Sequence, residues 1–245
     1  MFKSIHMIII VIAAAILTGY FLVTGAHPLW WVAALGMNFL SGCLGITVTF
    51  HRYLSHKSFE FRWPWMEKFF SLLGLLGGTG SAIGWVALHK AHHAYVDTDR
   101  DPHGPPRGWR NFYPDYDTHL RYRFAKHLIK DPFHWFLHKN GAWIIGAYLL
   151  ALYVFGGLEA LAFLGLIPQV ITGGVSSVCN WFTHFHGYRT YDTDDNSRNV
   201  WWLAIPTWGE SWHNNHHANI GDYSFRNKWW EIDISAMVIY LVKKR

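Results

Sequence analysis

Charge is what this chain has least of. Of its 245 residues only 15% are Asp, Glu, Lys or Arg, against 51% hydrophobic and 18% aromatic, a balance too apolar for an ordinary soluble domain and in keeping with a membrane protein. Lys and Arg are absent altogether from two long windows, Ser4 to His51 and Asn140 to Tyr188. Cysteine is scarce as well. Cys43 and Cys179 both sit in apolar stretches, which excludes a disulfide framework and a cysteine zinc ribbon. The glycines Gly78, Gly80 and Gly84 miss the G-x-G-x-x-G spacing and follow no strand pattern, so a dinucleotide loop is excluded too. A net charge of +5, in a chain of this kind, reflects membrane topology and anionic lipid rather than nucleic acid.

Each cation-free window is long enough for two spans of about 20 residues and a short turn. The expected spans are Ile5 to Val23, Leu29 to Phe50, Ala142 to Phe155 with its flanks, and Leu158 to Thr183, the last two parted by Gly156-Gly157. The first is too long for a signal peptide and a second span follows at once. Trp30 and Trp31 open the second span as an interfacial belt. With four crossings, Lys3, the middle segment and the basic tail share one side, which the positive-inside rule makes cytosolic. The expected fold is therefore an all-α membrane protein of four transmembrane helices with a cytosolic helical cap. Residues 1–50 carry the first two membrane helices, 51–140 cap, 141–184 the last two helices, and 185–245 further cap with a closing amphipathic helix from Trp229 to Val242. The apolar stretch Phe69 to Leu88 is expected to be buried and to return to the cytosol, because crossing would put the basic tail outside.

Histidine, by contrast, is abundant, at 17 residues. H-K-A-H-H at His89 to His93 and H-N-N-H-H at His213 to His217 each place three imidazoles on one helical face. H-R-Y-L-S-H adds His51 and His56 at the mouth of the second span, and Asn180 and His184 stand one turn apart at the end of the fourth. On an ideal α-helix a five-residue separation points side chains about 140° apart, so His51 and His56 are expected to meet only if the helix ends or bends between them. The candidate ligands are His51, His56, His89, His92, His93, His184, His213, His216 and His217. That is more than the six donors of an octahedral ion, so two neighbouring ions are expected. Imidazole suits iron, zinc, copper or nickel. A structural zinc pair is one reading; an oxygen-activating iron pair is the sharper one, although the paired Glu-x-x-His motifs of soluble di-iron bundles are lacking.

H-R-Y-L-S-H, H-K-A-H-H, N-W-F-T-H and G-E-S-W-H-N-N-H-H, in this order and joined by D-T-D-R-D-P-H and H-G-Y-R-T-Y-D, resemble the integral-membrane fatty acyl desaturases. The likeness runs from the second span to Ile232 and is strongest to the delta-9 group, both bacterial acyl-lipid types and animal stearoyl-CoA desaturases. It implies two irons in the cytosolic cap and dioxygen-dependent removal of two hydrogens from a saturated acyl chain, leaving a cis double bond. It implies that the nine histidines are the iron ligands and that Asn180 holds one iron through a water. Zinc is expected to replace iron readily in purified protein. Glu210, Asp97 and Asp101 are candidates to orient ligands from behind, with surface charge as the alternative. Trp85 matches a tryptophan of the acyl tunnel, and Phe39 and Cys43 lie at positions similar to those that close it, where core packing is the plainer reading.

There are departures from the resemblance. Animal acyl-CoA enzymes carry an Arg-Asp pair just before the second histidine box, where this chain has Ala87 and Leu88. A lipid-linked acyl carrier is therefore favoured over acyl-CoA. No haem motif of a fused cytochrome b5 is present, so a separate donor such as a ferredoxin or cytochrome b5 is expected, docking on the basic face. Two other functions share features with this one. A fatty acyl or alkyl hydroxylase of the same class would use the same ligands. A divalent-metal transporter would need ionisable groups in midspan, where this sequence has almost none. His103, His119, His127 and His186 are assigned surface or structural roles.

Overall fold

Both cation-free windows form pairs of helical segments in the computed structural model, which describes residues 4–103 and 122–244. His119 lies outside the described residues. Helix α1 (Ser4–Thr24) turns at Gly25, in the left-handed region at φ 84°, into α2 (Pro28–Asn38). Pro28 stands at the start of α2, where its missing N–H costs nothing, and His27 Nδ1 accepts from Leu29 N–H at 3.3 Å. Rings of both helices close on the buried Phe163, with Phe21 at 5.2 Å, Trp30 at 6.0 Å and Trp31 at 4.7 Å between centroids.

Past Asn38 the same rod continues as a π-helix, Phe39–Ser55, 17 residues long where single turns are the rule. The hydroxyls of Thr49 and Ser55 follow this winding: each donates to the carbonyl five residues back, on Leu44 and Phe50, at 2.8 Å. Helix α3 (Pro64–Leu76) crosses it at Gly45 and Gly74, where a Cβ on Gly45 would overlap the Gly74 backbone. The chain reverses through Gly77 to Gly80, with Gly78 at φ 78° and Gly80 at φ 98°, into α4 (Ala82–Tyr95), whose Ser81 cap accepts from Gly84 N–H at 3.4 Å. The stretch Phe69 to Leu88 is thus two helices and a turn rather than one rod.

After α5 (Lys126–Ile129), Asp131 caps α6 (Pro132–Ala160), accepting from Phe133 and His134 N–H at 2.9 and 3.1 Å. Gly157, at φ 68° and ψ −161°, interrupts this helix, a backbone shape that only glycine adopts at little cost. Beyond it the chain doubles back through a short π-helical segment, Leu161–Leu166, and α7 (Ile167–Phe182), and Tyr148 Oη donates to the Leu164 carbonyl at 2.5 Å across the hairpin. Among the described residues two stretches are long and apolar enough to cross a membrane, Pro28–Ser55 and Pro132–Phe182; the apolar part of α1, Ile8–Thr24, is shorter. Their outer faces present Leu22, Leu35, Trp143, Leu150 and Phe155, a continuous apolar exposure that marks an interaction with lipid or protein.

Two short helices complete the molecule, α8 (His213–Ala218) and α9 (Ile234–Val242). The closing helix begins five residues later than the expected Trp229. Glu231 ties residues 227–231 into a turn by accepting from Asn227 and Lys228 N–H, and Asp233 then caps α9 by accepting from Ala236 N–H at 2.9 Å.

Candidate metal centre

The π-helix explains how the first histidine pair meets. Its hydrogen bonds join residues five apart, and His56 N–H donates to the His51 carbonyl at 3.2 Å, so the two rings lie 4.9 Å apart between centroids. The helix does end between them, at Ser55, but the wider winding of the preceding turns is what superposes the rings. Helix α4 contributes His89, His92 and His93, α8 contributes His213, His216 and His217, and His184 stands in the turn just after α7.

These nine rings sort into two groups. His51, His56, His89, His93 and His216 form one, His92, His184, His213 and His217 the other, with all ligand atoms of a group within 4.8 Å of one another. His56, His93 and His217 are half-buried and the other six are buried. In the first group neighbouring Nε2 atoms lie 2.7 Å (His56–His89), 3.0 Å (His89–His93), 3.0 Å (His93–His216) and 3.1 Å (His51–His216) apart. In the second, His184 and His213 are 3.1 Å apart by the same atoms. Two nitrogens about 2.1 Å from one ion and at right angles to each other would be about 3.0 Å apart, so the spacing fits a shared cation. The Nε2 atoms of His92 and His217 are buried without a hydrogen-bond partner, as unused donors to an ion would be.

Carboxylates stand behind four of the rings. Glu210 bonds His51 Nδ1, Asp101 Oδ2 lies 2.9 Å from His92 Nδ1, Asp97 Oδ1 lies 3.0 Å from His184 Nδ1, and Asp195 Oδ2 lies 2.6 Å from His217 Nδ1. Glu210, Asp101 and Asp195 accept the Nδ1–H hydrogen bond, which fixes the tautomer and turns the Nε2 lone pair inward, while Asp97 stands at ion-pair distance from His184. At His51 that lone pair faces another ring's Nε2, an arrangement that a cation between them stabilises. Glu210, Asp97 and Asp101 thus take the orienting role the sequence suggested. Asp195 was not singled out: it sits in an irregular acidic turn, D-T-D-D-N, whose spacing gives no register against α8. His103 is buried, stacked on His92 at 4.3 Å and grouped with His92 and Asp101 as a further set that could hold an ion, while His186 is exposed.

Burial holds six of these imidazoles neutral. It pushes His56 down to about 3, and with their crowded neighbours it lowers His89, His92, His93, His213 and His216 well below the ordinary 6.5. In the unfolded chain each ring takes a proton as pH falls through about 6.5, whereas the folded rings stay neutral until far lower. Stability present above that pH is therefore lost progressively toward about 3, and any bound metal is released over the same range as protons compete for its ligands. Thermal unfolding and retained metal measured between about pH 7 and about pH 4 should both decline monotonically.

Beside the first group lies a cavity of about 400 Å³, lined by Gly42, Ile46, Trp85, His89, Asn180 and Trp208 among others, within the usual size range of small-molecule sites. Trp85 stacks on His89 at 5.0 Å and 20°. Asn180 faces this cavity, as a residue one turn before His184 should. Phe39 and Cys43 are not among its lining residues: Phe39 packs on the Trp208 ring at 5.4 Å, and Cys43 is buried with its Sγ 3.6 Å from Ser235 Oγ.

The model of one protein family, fatty acid desaturase, matches residues 28–224. Among curated proteins, the delta-9 acyl-lipid desaturase 1 of Arabidopsis thaliana is 38% identical over 212 residues, covering 81% of this chain and 67% of the relative. The sn-1 stearoyl-lipid 9-desaturase of Anabaena variabilis is 37% identical over 87% of this chain and 81% of its own length. The sn-2 palmitoyl-lipid 9-desaturase of Nostoc is 37% identical over 86% and 79%.

Proposed function

Given that the chain belongs to the fatty acid desaturase family and is thereby an oxidoreductase, we propose that it introduces a cis double bond at the delta-9 position of a saturated, lipid-linked acyl chain. The observation that carries this reading is the convergence of nine imidazoles into two adjoining groups beside an apolar cavity. The five-histidine and four-histidine groups would each hold one iron, with Asn180 supporting one of them through a water. When bound, the irons supply the activation of dioxygen that removal of hydrogen from unactivated carbons requires.

The chain's own residues do the rest. Glu210, Asp101 and Asp195 hold their imidazoles in one tautomer, so those ligands need not reorient. Trp85, packed flat on His89, presents an apolar wall to the acyl chain, which gains roughly 0.8 kcal/mol for each CH2 it buries. Ala87 and Leu88 offer no charge to a soluble thioester headgroup. The relatives' printed substrates, stearoyl- and palmitoyl-lipid, support the lipid-linked assignment. Four membrane crossings, with α1, the Pro28–Ser55 rod and the two arms of the Gly157 hairpin as spans, would put the histidines at the cytosolic boundary, where a separate acidic electron donor such as a ferredoxin or cytochrome b5 docks on basic surface.

Expression in a host lacking unsaturated fatty acids, with chromatography and mass spectrometry of its lipids, tests the proposal. A new cis-9 alkene is expected; a hydroxy fatty acid would instead assign the hydroxylase reaction, and unchanged lipids would remove both. Gly84→Leu provides a test of the cavity. A Cβ at Gly84 meets only Ser81 Oγ, at 3.9 Å, so the longer side chain enters the cavity without backbone conflict. The variant should keep its fold and lose activity on long acyl chains before short ones.

A further inference from the structure

The two histidine groups carry unequal charge behind them. Glu210, the carboxylate behind the five-histidine group, is itself held by Arg52, whose Nε and Nη2 donate to Glu210 Oε1 at 3.2 and 3.1 Å. Arg52 is fully buried; its Nη1 donates to Asp233 Oδ2 at 2.9 Å and to the Tyr223 carbonyl at 2.7 Å, and its guanidinium lies 3.8 Å over the Phe225 ring. Phe225 in turn packs on His216 at 4.3 Å. The four-histidine group is backed by Asp101, Asp97 and Asp195, and among the described residues no Lys or Arg pairs with any of the three. Their carboxylates are held by neutral donors: Asp101 by the Asp97 and His103 N–H groups, Asp97 by the Asn196 N–H, and Asp195 by the Ser197 N–H and Thr193 Oγ1; Arg189 stands near the last, donating to the Asp195 carbonyl at 2.9 Å and to Thr193 Oγ1 at 3.1 Å.

Fixed anionic charge behind a ligand favours the higher oxidation state of the ion it holds, and a neutralising cation removes that preference. We infer that the two centres are electrically unequal by construction: the four-histidine centre, backed by three carboxylates that no Lys or Arg pairs with among the described residues, stabilises ferric iron, whereas Arg52, paired directly with Glu210, keeps the five-histidine centre nearer to ferrous. Arg52 acts as a positioning and tuning residue through Glu210 and His51. Each ion gives up one electron on oxidation, so a half-oxidised protein holds its ferric ion in the four-histidine group.

This inference rests on the proposed pair of irons, and iron counting separates the two. Fewer than two irons per chain in the purified, iron-loaded protein would remove the pair itself. With two bound, stepwise oxidation by a mediated chemical oxidant, followed by 57Fe Mössbauer spectroscopy, is expected to convert one ferrous site before the other. Asp97→Asn identifies which. Asp97 sits at φ 58°, where asparagine is well tolerated, and an amide of the same shape removes only the charge beside His184 Nδ1. At the potential where the wild-type early site is half oxidised, this variant should raise the ferrous-to-ferric ratio of that site about tenfold or more, leaving the late site unmoved. Arg52→Gln should move the late site the opposite way, toward earlier oxidation, and Arg52→Lys, which keeps the charge, should restore it. Where Arg52→Gln fails to hold two irons, Asp97→Asn decides alone. Simultaneous oxidation of both sites in the wild-type protein, or an Asp97→Asn shift confined to the late site or absent, overturns the inference.

Discussion

Replacing His213 by alanine is expected to abolish double-bond formation, by more than about a hundredfold, and to lower bound metal, while the protein still inserts in the membrane. Loss of a partner that merely orients a metal ligand costs roughly 10- to 100-fold, and His213 is itself a ligand candidate, buried with its Nε2 3.1 Å from that of His184. In the four-histidine group only His92, His184 and His217 share the same compact set of ligand atoms with His213 among the described residues; His103 groups with His92 and Asp101 instead. His92→Ala should behave alike and also strip Asp101 of its partner. The fold should tolerate either change better than the chemistry does, because α4 is held by the apolar packing of Ile83, Val86 and Ala87 and α8 by the hydrogen bonds of Asn214 and Asn215. Metal content, product yield and membrane fractionation of the same preparation check all three statements. Full activity in either variant would remove these residues from the ligand set.

The second large effect falls on folding. Gly45→Leu is expected to cost about 3 kcal/mol or more, because the new side chain would have to occupy the space of the Gly74 backbone at the crossing of the π-helix and α3. Neither helix can retreat. A Cβ at Gly74 would itself meet the Phe50 ring, and one residue beyond Phe50 comes His51, so any separation of the helices carries the first histidine pair with it. Loss of monodisperse protein in detergent, together with loss of metal, is the expected result. Gly19→Leu, on α1 where a Cβ meets nothing, serves as the control and should leave both unchanged.

Much of this architecture is legible before any coordinates. Two windows without a cation delimit the helical pairs, Gly156-Gly157 marks where the second pair doubles back, and the repeated H-x-x-H-H spacing selects the rings that converge. What escapes the sequence is what depends on partners far along the chain. The π winding that superposes His51 on His56 has no signature in the 3.6-residue periodicity that sequence patterns report. Asp195 meets His217 only because its turn folds over α8. Arg52, one residue after a ligand, looks like an interfacial cation until Glu210 and Asp233 are seen to close around it. Phe39 and Cys43 were expected from resemblance at the tunnel's end, whereas Gly42 and Ile46 line the cavity, since the wider winding changes which side of the helix faces it.

The claim on which the rest depends is that nine imidazoles enclose two adjoining metal ions. Elemental analysis combined with metal-edge X-ray absorption on the purified protein tests it directly. Two ions per chain with a first shell dominated by imidazole nitrogen, and no sulfur despite the two buried cysteines, is the predicted result; a single ion per chain, or sulfur in the first shell, would contradict it.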